Sequence, residues 1–239
     1  ILRCLVGSEM CIRDSYVAVQ PQITKSYASN NVNESHDLVL RSSRLAFLLL
    51  TAMIVPLITE TEFVLQLWLK EVPAHTATFV QIILICSLID SFSSPLVYLM
   101  LATGKIKRYQ IVVGLFNLLN FPVAWFILYC GGSPELAQFS IIFFAIGALF
   151  LRVSMLRSMT QFPVREFFLS TVMRCLIIML ICIGISYIIA SFCEIGLLSF
   201  LFNLGVTELS LCSLVYFVGV NVGEREFIKR KISVILRRR

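Results

Sequence analysis

Few residues in this sequence can do chemistry, and those few lie in apolar surroundings. Asp90 sits in "QIILICSLIDSFSSPLVYLMLA", near the middle of an apolar run from Ala77 to Thr103. A carboxylate held there can bind a proton or a cation, contact a polar substrate, or bond Ser91, Ser93, Ser94 and their neighbours. Asn117 and Asn120, three apart, share one side of a helix and can bond a neighbouring helix or line a cavity. Packing is the simpler of the two. Arg174 and Glu208 each stand about a third of the way into an apolar run, within snorkelling reach of its end, and are read as locally structural.

Catalysis finds no foothold. His36 and His75 lie in or beside connections, and no H-E-x-x-H, G-x-S-x-G, P-loop or dinucleotide fingerprint is present. No catalytic, cofactor-binding or metal-binding residue is therefore expected, and the chain is not read as an enzyme. Its 8 cysteines include no C-x-x-C pair, and most lie inside apolar runs as small hydrophobes. Only Cys130 and Cys193 fall near connections on the same side, where a disulfide is open to them if their distance allows it.

The elements that carry these residues follow from composition. Hydrophobic residues make up 58% of the 239 and charged ones only 14%, with mean hydropathy +0.89. Soluble domains are nearer 45–50% and about 25%. The chain reads as all-α, a polytopic helical membrane protein with six transmembrane helices at about 45–60, 77–103, 109–130, 136–156, 167–192 and 198–222. None alternates with the period of two that a barrel strand needs. The first apolar run, Leu45–Thr59, falls short of the roughly 20 residues a bilayer core requires, so its helix passes Glu60 or is completed by its flanks. Behind it, "EFVLQLWLKEVP" places Phe63, Leu67 and Trp68 on one helical side and reads as interfacial. Residues 16–44 read as a polar loop led by the tail of a helix, and 157–166, with Pro163, as a polar elbow.

Basic residues test this layout. With six alternating spans, every Lys and Arg after Ser15 falls on one side, Arg152 included, except Lys70 and the intraspan Arg174. The positive-inside rule makes that side cytoplasmic and places both ends there. The same distribution accounts for the net charge of +6 and argues against nucleic acid as a partner, because the positive charge is spread over separate segments. The tail 223–239 spaces Phe227, Ile228, Ile232 and Ile235 helically among basic residues, as an amphipathic helix on anionic membrane lipids would. Pro56, Pro95 and Pro122 fall in the first three spans; they read either as kinks around a cavity or as ordinary proline enrichment in membrane helices.

The opening residues are of another kind. Cys4 through Ser15, "CLVGSEMCIRDS", is what one reading frame of the adapter used in transposase-based sequencing libraries encodes. Residues 1–15 are accordingly read as library-derived, with the native chain starting near Tyr16 and an upstream part expected to precede it.

Four stretches carry a family resemblance: "VAVQPQITKSYASNN", "VLQLWLKEVP", "SPLVYLMLATGKIKRYQIVVG" and "GEREFIKRKI". Together they resemble the C-terminal half of bacterial polysaccharide-biosynthesis (oligosaccharide or O-antigen) flippases of the multidrug/oligosaccharidyl-lipid/polysaccharide exporter superfamily. The resemblance implies the C-terminal part of a 12–14-helix transporter with two lobes around a central cavity. Four of the spans here would belong to the second lobe and the last two would be peripheral. It implies transfer of undecaprenyl-diphosphate-linked oligosaccharide across the bacterial inner membrane by alternating access, for surface polysaccharide and lipopolysaccharide. The lipid-linked oligosaccharide and other polysaccharide-assembly proteins are the partners it suggests. A cation-coupled multidrug exporter of the same superfamily is the alternative, and Asp90 favours it. A diphosphate also calls for cavity cations; with only Arg174 counted inside a span, on a peripheral helix, those cations are expected in the upstream half.

The topology is checked by alkaline phosphatase fusions. A fusion after Lys70 is expected to be active and fusions after Lys107 and Arg165 inactive; the opposite pattern would invert the assignment.

Overall fold

A computed structural model describes residues 19–69, 71–192 and 196–219, and all regular structure among them is helical. Six helices are long and apolar enough to cross a membrane: Val32–Thr59, Thr76–Ala102, Ile106–Tyr129, Pro134–Thr160, Val164–Phe192 and Leu197–Phe217, here the first to sixth spans. This is a multi-pass membrane architecture. In lipid no water is available to satisfy backbone N–H and C=O groups, so apolar runs of this length close their own hydrogen bonds as helices. At 1.5 Å per residue the 27- and 28-residue spans reach about 40 Å, enough to carry both ends into the headgroup zone.

Local chemistry sets the ends. Ser133 caps the fourth span by accepting from the Leu136 N–H at 3.3 Å, with Pro134 in the first turn and Glu135 beside the positive end of the helix dipole. Gly104 (φ 72°) turns the chain out of the second span. The third span is interrupted at Leu119, between helices Ile106–Leu118 and Asn120–Tyr129. Pro122 has no N–H to offer the carbonyl of Leu118, four residues back, and the helix parts there. The helices run on through Pro56 and Pro95. The short helix Thr61–Trp68 follows the first span, and Phe63 meets Phe200 of the sixth at 5.8 Å.

Two boundaries depart from the sequence reading. The region expected as a loop to residue 44 is helical at 19–28, turns at Ser29 and Asn30, and enters the first span at Val32. Its polar residues become the buried side of that helix: Ser35, His36, Ser42, Ser43 and Arg44 are all buried beside Val39 and Leu40. Ser35 and Ser42 donate back to the Val32 and Leu38 carbonyls, which lets their hydroxyls sit in the interior. The elbow expected over 157–166 contracts to Gln161–Pro163, because the fourth span stays helical to Thr160. Phe162 pins this turn, buried edge-on to His36 (5.2 Å) and Phe167 (5.8 Å). The tail 223–239 and residues 1–15 lie outside the described residues.

In cross-section the neighbours run third, fourth, second, first, fifth, with the sixth packed against both the fifth and the first. Two-thirds (67%) of the first span's apolar window is buried, against 6% of the third's, so the first span is the hub. Phe47 stacks on Phe92 of the second span at 4.4 Å, and Phe92 meets Phe167 of the fifth edge-on at 6.2 Å. The third span touches the fourth where Phe116 lies over Gly147. A Cβ there would come within 2.5 Å of the ring, so a larger residue would push Phe116 aside and loosen this approach.

Polar bonds fasten the hub at both ends. At one, Ser186 Oγ of the fifth span donates to Asn203 Oδ1 of the sixth (2.9 Å) and shares a hydrogen bond with the Thr59 hydroxyl (2.8 Å). Asn203 Nδ2 in turn donates to Glu60 Oε1 at 3.2 Å, and Ser186 and Asn203 are wholly buried. At the other end the Thr160 hydroxyl donates to the Leu156 carbonyl (3.1 Å) and so accepts from His36 Nε2 at 3.2 Å. In a double-mutant cycle, S186A and N203A should couple by about 0.6 kcal/mol and at most about 1.7, the range for interhelical bonds in membranes. Unfolding in mixed micelles measures this; strictly additive losses would show that the network does not act as a unit.

Candidate functional site

The second span carries an unusual stripe. Asp90, Ser93, Ser94, Val97 and Tyr98 recur at helical spacing and so share one side. They line a cleft of about 290 Å³ whose other wall is Arg152 of the fourth span. Arg152 Nη1 donates to Ser93 Oγ at 2.7 Å and stands 3.5 Å from Asp90 Oδ1, while Nε donates to the hydroxyl of Tyr109 on the third span at 3.3 Å. Three spans thus meet at one guanidinium. Tyr109 lies in the first turn of its span and Arg152 about two turns from the end of its own. The cluster therefore sits in the half of the bundle nearer the elbow.

The two charges are placed differently. The Arg152 side chain is 13% exposed and the Asp90 side chain 61%. A guanidinium within a span needs partners for several N–H groups, and Ser93, Tyr109 and Asp90 supply them. Its shortest contact is to the serine rather than to the carboxylate, so Asp90 remains open to the cleft. The planar donor fork suits a phosphate or carboxylate, and the exposed carboxylate suits a cation or a polar group. Binding and exchange of partners are the chemistry on offer. Among the described residues, no three His, Cys, Asp or Glu side chains gather into a metal-sized cluster.

Of the residues singled out by sequence, Asp90 alone belongs to this cleft. Asn120 Oδ1 accepts from Ser140 Oγ at 2.6 Å, a bond joining the third span to the fourth, and Asn117 is exposed on the third span. Pro95 is buried on the second span and Pro56 on the first, while Pro122 marks the break in the third. Arg174 and Glu208 are half-buried on the fifth and sixth spans. Cys86, Cys130, Cys175, Cys182 and Cys212 are free thiols, and Cys193 lies outside the described residues.

Arg152 was missed. Although the expected span 136–156 covers it, Arg152 is counted there with the basic residues outside the membrane; it stands about two turns inside the end of the fourth span, Pro134–Thr160. Arg44 is likewise within the first span and only 5% exposed. Arg174 is therefore not the only basic residue in a span. A signal did exist: a polar stripe around a mid-span carboxylate invites a partner, and Arg152 has apolar neighbours on both sides, in "ALFLRVSML". No family model matches the chain, and no curated protein or solved structure is significantly similar to it.

Removing Arg152 leaves Asp90, Ser93 and Tyr109 without their shared donor. R152Q is expected to destabilise by on the order of 1.5–3 kcal/mol, the worth of a hydrogen bond to a charged group. D90N, whose side chain is mostly exposed, should lose less, and D90N/R152Q should be less damaged than the two single losses added. Thermal unfolding of the purified chain in detergent measures all three; full additivity would mean that the pair is uncoupled.

Proposed function

We propose that this chain belongs to a transporter that moves an undecaprenyl-diphosphate-linked oligosaccharide across the bacterial inner membrane for surface polysaccharide synthesis. The observation that carries the reading is Arg152, an intramembrane guanidinium at the wall of a cleft, held by three spans beside a partly free carboxylate. Charged groups inside a bilayer are expensive and mark substrate or ion pathways. An arginine with a planar donor fork is suited to a diphosphate. The four sequence stretches that resemble oligosaccharide flippases supply the substrate class. On this reading Asp90 holds Arg152 in place when no anion is bound and yields it when the diphosphate arrives.

A second reading is favoured by the exposure of Asp90. A carboxylate 61% exposed at the edge of the cleft, with its arginine turned toward a serine, can take up a cation. This suits a cation-coupled multidrug exporter.

Reconstitution separates the two. Vesicles carrying the chain should speed transbilayer movement of a fluorescent undecaprenyl-diphosphate sugar. R152Q should slow it about tenfold or more, the equivalent of one lost charge-assisted contact. Absence of lipid movement, together with dye efflux that requires a cation gradient and is abolished by D90N, would establish the exporter reading instead.

A further inference from the structure

A larger cleft, about 890 Å³, opens where the fourth span gives way to the fifth. We propose that it is a binding site for the phosphate of an anionic phospholipid, with an acyl chain lying down the side of the bundle. Two membrane-length helices end and begin at this turn, so the cleft stands at headgroup level whichever way the chain is oriented. Arg157, in the last turn of the fourth span, and Arg165, just inside the fifth, both line it and both are exposed. Neither forms an ion pair or side-chain hydrogen bond with another described residue, so both guanidinium groups are available. The Gln161 amide adds further donors on the same lining.

The floor of the cleft explains why the phosphate should belong to a lipid. Phe168 and Leu169 line the same space, Phe168 stacks on Phe150 at 5.1 Å, and Leu169 and Phe150 remain 59% and 55% exposed. Cationic groups at the rim with an apolar wall a turn deeper match the polarity profile of a phospholipid. A soluble phosphate would use the rim alone. Phe162, fully buried in the elbow, holds the turn in shape from below. Glu166 is the opposing element: its carboxylate shares the lining and weakens a rim that is otherwise positive. The basic tail is a poor occupant, since its lysines and arginines would meet Arg157 and Arg165 with like charge.

The test is native mass spectrometry of the full chain purified in mild detergent with phosphatidylglycerol or phosphatidylcholine. Tightly retained phosphatidylglycerol, and no phosphatidylcholine, is expected on the unaltered chain. R157Q/R165Q should lower that retention several-fold, whereas K105Q/K107Q, which removes equal charge from another connection, should leave it unchanged. E166Q should raise it and does not disturb the arginines, so the proposal stays testable if the double variant fails to fold. Equal losses in both double variants, no rise with E166Q, or displacement by inorganic phosphate or an acidic peptide as effective as by lipid would each overturn it.

Discussion

The first span can stand at the centre of this bundle only because the polar groups it carries inward are answered by other helices. His36 meets Thr160, Ser43 donates toward the Phe92 carbonyl, and Thr59 and Glu60 close on Ser186 and Asn203. Between lipid-facing helices there is little hydrophobic drive for association, since lipid tails are as apolar as leucine. What remains is close packing and hydrogen bonds that have no better partner in hydrocarbon. The polar bonds therefore specify which helices touch, and the stack of Phe47, Phe92 and Phe167 fills the space between them.

The same constraint shapes the cleft around Arg152. Once the fourth span runs on to Thr160, the guanidinium is drawn among helices and must be supplied with acceptors there. Ser93 and Tyr109 supply two and Asp90 balances the charge. The outcome is asymmetric: a largely covered cation and a largely uncovered anion. A pair of this kind is not an economical way to stabilise a membrane protein, since apolar side chains would pack at less expense. The proposed function would account for such a pair by partner exchange with a substrate that enters the cleft.

Much of the fold was legible in the sequence. The second to fifth spans lie within a few residues of the positions that apolar runs indicated, and Pro163 does end the helix before it. The start of the first span was not, because "NESHDLVLRSSR" looks like solvent-exposed chain. Ser35 and Ser42 bond their own helix, Ser43 reaches the Phe92 carbonyl, and His36 and Arg44 find cover in neighbours, which composition does not reveal. The site divides in the same way. Asp90 was conspicuous by its depth, whereas Asn117 and Asn120, alike in sequence, part at the helix break beside Pro122, one exposed and one bonded to Ser140.

The sequence by itself determined that this chain is helical and multi-pass, because the length and apolarity of its segments leave the backbone no other way to satisfy its hydrogen bonds in lipid. It determined too that Asp90 should face protein or a wet cavity rather than lipid, where a partner can meet it. Only the tertiary structure decided that the partner is Arg152, drawn from the far end of an antiparallel helix remote in sequence, and that Arg157 and Arg165 flank one cleft. Electrostatic pairing depends on distances of a few ångströms between helices. Those distances are set by packing, as where Gly147 admits Phe116, and not by any local pattern along the chain.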